Sequence, residues 1–242
     1  MSTNKSKTIA PGVTNNDNFG ADKSDVSAMR KTKKEDLKET ALEIFTDYYR
    51  QNYWGNEESR SGKGSTRENA SLIVERFPWL IKKLDIKSIL DLPCGDMNFM
   101  KLIDFEGVKY TGVDIVEDII ECNKKLFPQH QFLHLDAQSD PLPQTDLVIC
   151  RDLLIHLPNI SVNKILKNIV NSSSKYLLVS HYLQQFGPVP LNGEIQTGQF
   201  RAVNLTLPPF SLPVPTLMLP EKQSPYKTLA LFDLGDIQIR NI

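Results

Sequence analysis

Residues 88–114 read SILDLPCGDMNFMKLIDFEGVKYTGVD. A short apolar run, Ser88-Ile89-Leu90, ends in the acid Asp91, and a tight turn with one glycine follows, Leu92-Pro93-Cys94-Gly95-Asp96. A helix-length stretch then leads to a second apolar run, Tyr110-Thr111-Gly112-Val113, which also ends in an acid, Asp114. The pattern predicts a strand–turn–helix–strand unit with a carboxylate at the tip of each strand. In open parallel α/β sheets, ligands sit beyond the carboxyl ends of the strands. An acid about 20 residues past the turn can accept hydrogen bonds from both ribose hydroxyls. The unit therefore reads as a holder for an adenosine-containing cofactor.

Working outward, strands are predicted near 88–92, 109–114, 131–135, 146–150 and 176–181, with helices near 97–105, 116–127 and 160–171. This alternation predicts a mostly parallel sheet with helices on both faces and right-handed crossovers. Before it, residues 34–51 have helical spacing through Leu37, Ala41, Ile44, Phe45 and Tyr48. A polar, glycine-bearing loop over 52–65 opens with Tyr53 and Trp54. A helix over about 66–83 follows, capped by Ser65 or Thr66 and kinked or divided at Pro78. After Tyr182 the chain is rich in proline, with a short strand near 216–219 and a last strand over 228–232. The domain reading is a loose or disordered arm over 1–34, amino-terminal helices and a substrate-side loop over 35–84, and a cofactor-binding core with proline-rich loops over 85–242.

Composition narrows the function classes. Of 242 residues, 28 are basic and 29 acidic, for a net charge of −1, which gives no electrostatic case for a nucleic-acid partner. No apolar run is long enough for a membrane span, and the first residues lack the apolar core of a secretory signal. Cys94, Cys122 and Cys150 have no zinc-like spacing, and no metal site is expected. A reducing, cytoplasmic setting fits these thiols.

Dinucleotide sites use G-x-G-x-x-G so that backbone amides can reach a pyrophosphate. The equivalent positions here are Pro93, Gly95 and Asn98, with Asp96 where a phosphate would want donors. Such a turn is a poor phosphate cradle but suits an amino acid carrying a sulfonium. At this point the chain resembles the class I S-adenosylmethionine-dependent methyltransferases. The matching residues are the 89–96 segment, Asp114, Asp136 in Phe132-Leu133-His134-Leu135-Asp136-Ala137, and the 146–157 segment, so that 85–182 is covered. A narrower likeness is to small bacterial-type members that pair a Pro-Cys-Gly-Asp turn with a Cys-Arg-Asp segment.

The resemblance implies a Rossmann-like sheet of about seven strands with the last antiparallel, and S-adenosylmethionine as cofactor. It implies that Asp91 orients the turn and the cofactor amine, and that Cys94 and Gly95 offer backbone groups to the methionyl part. Asp114 would hold the ribose, Ile115 would pack on adenine, Asp136 would bond the adenine amino group, and Ala137 would donate its N–H to the ring. Pro93, Asp96 and Arg151 complete the expected cofactor surroundings.

Methyl transfer needs alignment above all, and a hydroxyl acceptor also needs a base. The segment after the fourth strand supplies Asp152 and His156, four residues apart and able to share a helical face. His181 is a second candidate base. Tyr53, Trp54, Arg201 and Asn204 are the candidate acceptor-binding residues, the last two suited to a polyol. The acceptor expected is a small polar molecule, a carbohydrate or other hydroxyl-bearing metabolite. A protein or peptide acceptor, a non-catalytic cofactor-binding scaffold and a nicotinamide oxidoreductase are the alternatives. The sequence fixes neither the acceptor atom nor the oligomeric state.

Overall fold

The structure, a computed structural model, describes residues 41–105, 107–222 and 224–237. The strands are β1 (Ser88–Asp91), β2 (Lys109–Asp114), β3 (Gln131–His134), β4 (Leu147–Cys150), β5 (Tyr176–Tyr182), β6 (Leu217–Pro220) and β7 (Lys227–Asp233). They form one sheet in the order β3-β2-β1-β4-β5-β7-β6. β1 to β5 pair in parallel, whereas β7 runs antiparallel to both β5 and β6. The expected seven strands and the reversed last strand are both found. The helices are α1 (41–50), α2 (Ser71–Leu84), α3 (Glu117–Leu126) and α4 (Asn159–Asn171). The expected arm over 1–34 lies outside the described residues.

Central strands buried on both faces read as unbroken apolar runs. All four residues of β4 are buried, and alternate residues feed opposite cores. Val148 and Cys150 join Val162, Ile165 and Ile169 of α4 on one face. Leu147 and Ile149 join Phe77 and Leu80 of α2 and Ile119 and Ile120 of α3 on the other. At the amino ends of β1 and β4, Asp146 Oδ2 accepts from the Lys87 and Ser88 amides and from Ser88 Oγ. That tie pins the register of the two strands on which the site is built.

Three expectations fail locally. The helix predicted over 97–105 is only a 3-10 turn, Met100–Leu102, because Met97 takes a left-handed conformation (φ 58°) that interrupts the helix at its start. The predicted helix over 66–83 begins at Ser71, since Thr66 instead closes a turn, accepting from the Asn69 amide and donating to Lys63 O. Of the two outcomes expected at Pro78, division does not occur: α2 continues through it to Leu84.

Candidate active site

Strand order reverses direction at β1, so the crossovers from β1 and from β4 leave on opposite faces and open a crevice beyond their carboxyl ends. A cavity of about 310 Å³ lies there, at the lower end of the size range of ligand pockets. Asp91, Pro93, Cys94, Gly95, Asp96, Asp114, Ile115, Arg151, Asp152, His156 and Trp54 all line it. Eleven residues singled out in sequence thus converge on one space. A smaller recess of about 30 Å³ is walled by Asp136 and Ala137 and shares Pro93, Asp114 and Ile115 with the main cavity.

The β1 turn is built around Gly95. Its φ of +52° and a Cβ that would collide with Ser61 Oγ leave room for no side chain. Its amide donates to Asp114 Oδ2 (3.1 Å), and its carbonyl accepts from Asn123 Nδ2 (2.7 Å). The Cys94 amide donates to Val113 O (2.8 Å). Both turn amides that were expected to meet a cofactor are therefore engaged within the protein. Asp96 is committed as well. Its carboxylate accepts from Ser59 Oγ, the Arg60 amide (2.8 Å) and Ser61 Oγ, clasping the 59–65 loop over the crevice.

Asp91 and Asp114 are buried and form no ion pair among the described residues. Burial pushes Asp91 up to about 7, partly opposed by the Tyr110 hydroxyl donating to it at 2.6 Å, with the nearby Asp114 charge adding to the rise. Burial pushes Asp114 up to about 6, against the amides of Val116 and Gly95. Asp114 Oδ2 accepts from the Gly95 amide and Oδ1 from the Val116 amide, with the Ile115 amide also acting on the carboxylate, which has further lone pairs for a ribose diol. Two buried acids that form no ion pair among the described residues, with only the more distant Arg151 and His134 acting on them, also fit a ligand with two positive centres. The residues present thus suit an aminoacyl sulfonium nucleoside. Asp136 is less open: its carboxylate accepts from the Gln138 amide and Ser139 Oγ. The recess it walls is smaller than a purine, and Phe45, a half-buried ring, borders both spaces.

At the other end of the cavity the structure corrects several expectations. Asp152 does not touch His156. It sits at φ 57° with its amide donating to Ser180 Oγ, and its carboxylate accepts from Ser180 Oγ (2.8 Å), Lys227 Nζ (2.7 Å) and Arg151 (3.3 Å). Burial alone would raise its pKa, but Lys227 and Arg151 outweigh that and hold it well below the usual carboxylate range, which makes it a poor base. Arg151 is held by Glu221 (2.7 Å) and by Gly64 O (2.8 Å), and Lys227 also meets Glu221 at 2.7 Å. The four side chains form a charge-balanced, mostly buried quartet, of which Arg151 and Asp152 reach the cavity wall.

His156 is oriented instead by a backbone carbonyl. Its Nδ1 lies 3.0 Å from Gln199 O, so this nitrogen carries the proton and Nε2 keeps its lone pair. Burial lowers its pKa, so the ring is neutral at physiological pH. His181 is buried, its Nδ1 accepts from the Leu205 amide (3.3 Å), and burial lowers it to about 4; it does not reach the cavity. Arg201 is fully buried, donating to Leu154 O and Asn159 Oδ1 (2.8 Å each). Asn204 Nδ2 donates to Tyr182 O (2.9 Å) and its Oδ1 accepts from Thr206. Both residues fasten the loop after β5 and neither faces the cavity. Tyr53 lies outside it too, 60% exposed and stacked on Tyr48 at 3.9 Å.

Sequence reasoning missed Phe200 and Tyr182 on the cavity wall and the Lys227–Glu221 half of the quartet. A lysine opening the apolar run 227–232 was the one available signal for the latter.

The chain belongs to a methyltransferase-domain family, whose model matches residues 61–209. The seven-stranded sheet described above is a Rossmann-like methyltransferase fold. No functionally curated protein matches it. Among solved structures it is similar to the PH0226 protein from Pyrococcus horikoshii OT3 (21% identity, 70% of this chain and 94% of that one, TM-score 0.53). It is also similar to magnesium protoporphyrin IX methyltransferase from Synechocystis PCC 6803 with bound SAM (13% identity, 79% and 95%, TM-score 0.51). Human N-acetylserotonin methyltransferase in complex with SAM matches at 22% identity over 57% of this chain, which spans 44% of that protein (TM-score 0.45). At these identities the likeness is one of fold.

Proposed function

We propose that this chain moves a methyl group from S-adenosylmethionine to a hydroxyl of a small molecule, with His156 as the base. The observation that carries this is the Gln199 O contact, which leaves Nε2 of a cavity-lining neutral imidazole free to accept a proton. When bound, the cofactor supplies an electrophilic methyl on a good leaving group. Asp114 takes the ribose diol, Asp91 faces the positive methionyl end, Ile115 flanks the adenine, and the recess at Asp136 and Ala137 receives the base edge. Arg60 and Lys63, on the loop that Asp96 clasps, stand at the cavity as partners for the methionyl carboxylate. Asp152 and Arg151 act by fixing the wall beside the acceptor rather than by moving protons. The His156 ring accepts the acceptor's proton as the oxygen attacks. The three cysteines are unpaired thiols, in keeping with a cytoplasmic setting, and no helix among the described residues is long and apolar enough to cross a membrane.

The carbohydrate branch of the acceptor expectation loses support once Arg201 and Asn204 are found buried in the loop. The test is calorimetry with S-adenosylhomocysteine followed by labelled-methyl transfer to hydroxylated small molecules, peptides and RNA. Binding with turnover on a small hydroxyl supports the reading; turnover confined to peptide or RNA overturns it.

A further inference from the structure

The end of the cavity around His156 is walled by rings. Trp54 lies 5.7 Å from the imidazole at 42°, and Phe200 lies 6.1 Å from it at 58°. Tyr182 meets Phe200 edge-on at 6.2 Å. The rings about His156 are tilted rather than stacked on one another, so faces remain for a ligand ring, the offset or edge-on geometry that aromatic pairs prefer. Gly62 backs Trp54 closely, since a Cβ there would stand 3.1 Å from Trp54 Cβ. The ring is thereby held against the cavity rather than left at the surface.

Polar partners at this end are few. Arg151 is spent on Glu221, Asp152 and Gly64 O, and Asp152 on Ser180, Lys227 and Arg151. The imidazole Nδ1 is spent on Gln199 O. Of the four ring residues at this end, His156 Nε2, the Tyr182 hydroxyl and the Trp54 indole N–H are the side-chain polar groups left for a ligand. A sugar ring buries several hydroxyls, and each one left unpaired weakens binding. A planar ring with one or two hydroxyls asks for no more partners than the site offers.

We infer that Trp54, His156, Tyr182 and Phe200 form the acceptor subsite, and that its occupant is a planar aromatic compound bearing a hydroxyl. The inference deepens the methyltransferase reading and rests on it. In the reaction the phenolic oxygen forms a bond to the methyl carbon as the sulfur–carbon bond breaks. The electron pair of that bond returns to sulfur, and the phenolic proton passes to His156 Nε2. The products are an aryl methyl ether and the neutral thioether.

The protein holds two tryptophans, Trp54 and Trp79. Trp79 projects from α2 at 49% exposure, beside Lys83 and away from the cavity. A Trp79→Phe variant therefore makes Trp54 the sole indole emitter. With saturating S-adenosylhomocysteine, catechol and 2,3-dihydroxynaphthalene are expected to quench that emission saturably, while methyl α-glucoside leaves it unchanged. Phe200→Ala should weaken the aromatic ligand about three- to tenfold, the loss of one ring contact, with S-adenosylhomocysteine affinity intact. Labelled methyl should appear on the aromatic hydroxyl. S-adenosylhomocysteine binding without any aromatic response, or saturable quenching by the glucoside instead, would overturn the subsite. Absence of S-adenosylhomocysteine binding in calorimetry would remove the methyltransferase site itself, and the subsite with it.

Discussion

Asp91 and Asp114 set the behaviour of the site with pH. Both are protonated more readily in the fold than in an unfolded chain, where an aspartate titrates near about 3.9. Their contribution to stability is complete below about pH 4 and is lost as pH rises through about 6 for Asp114 and about 7 for Asp91. The ligand-free protein should therefore lose melting temperature across that window, and Asp91→Asn should flatten the loss in a scanning-calorimetry series. A cationic ligand favours the ionised acids. S-adenosylmethionine affinity should thus climb through the same window, and climb more steeply than that of S-adenosylhomocysteine, which lacks the sulfonium charge; parallel slopes in titration calorimetry would count against the acids' role. At His156, replacement by Asn should lower kcat by roughly 10²–10⁴-fold, the usual worth of a positioned base. Cofactor affinity should stay unchanged, because the ring meets only the acceptor end. Equal losses in kcat and in cofactor binding would mean that His156 shapes the cofactor pocket instead.

Between elements, the quartet of Arg151, Asp152, Glu221 and Lys227 joins the end of β4 to the hairpin of β6 and β7. Removing one partner of a buried pair leaves its opposite charge stranded, at a cost of about 3–5 kcal/mol. Lys227→Met should cost stability on that scale in urea unfolding, although Lys227 does not line the cavity. A loss below about 1 kcal/mol would mean that solvent reaches the cluster. In α2, Pro78 interrupts the hydrogen-bond ladder on an exposed face. Pro78→Ala should stabilise the protein, by up to about 3 kcal/mol, with no change in ligand binding. The loop over 59–65 depends on Asp96 and on the bare Cα of Gly95. Gly95→Ala should displace that loop and weaken cofactor binding before it unfolds the core.

For the molecule as a whole, what could be read from the sequence follows from where the determinants lie. The strands β1, β2, β4 and β5 were legible because each is a mostly buried run punctuated by an acid or a turn, a signal local to a few residues, whereas β3 carries only Phe132 as a buried residue. Asp91, Gly95 and Asp114 were legible for the same reason. The helix expected over 97–105 failed on one backbone angle, at Met97, which nothing in that residue type announces. His181 failed through strand alternation: Ser180 turns toward Asp152, so its neighbour must face the opposite side, against Phe232. The partners of Arg151 and Asp152 were out of reach because Glu221 and Lys227 lie 70 and 75 residues away along the chain. Arg201 was suited to a polyol by its donors, but equally able to tie down a loop; here one carbonyl and one amide oxygen hold it there. The fold brings the acids Asp91 and Asp114 and the rings of Trp54, His156, Tyr182 and Phe200 into one crevice at the reversal of strand order, and the proposed function makes these its cofactor and acceptor ends. A crystal structure of the protein with S-adenosylhomocysteine tests that directly. The ribose hydroxyls should lie on Asp114 and the sulfur should point toward His156, and a nucleoside bound away from the Gly95–Asp114 crevice would contradict the account.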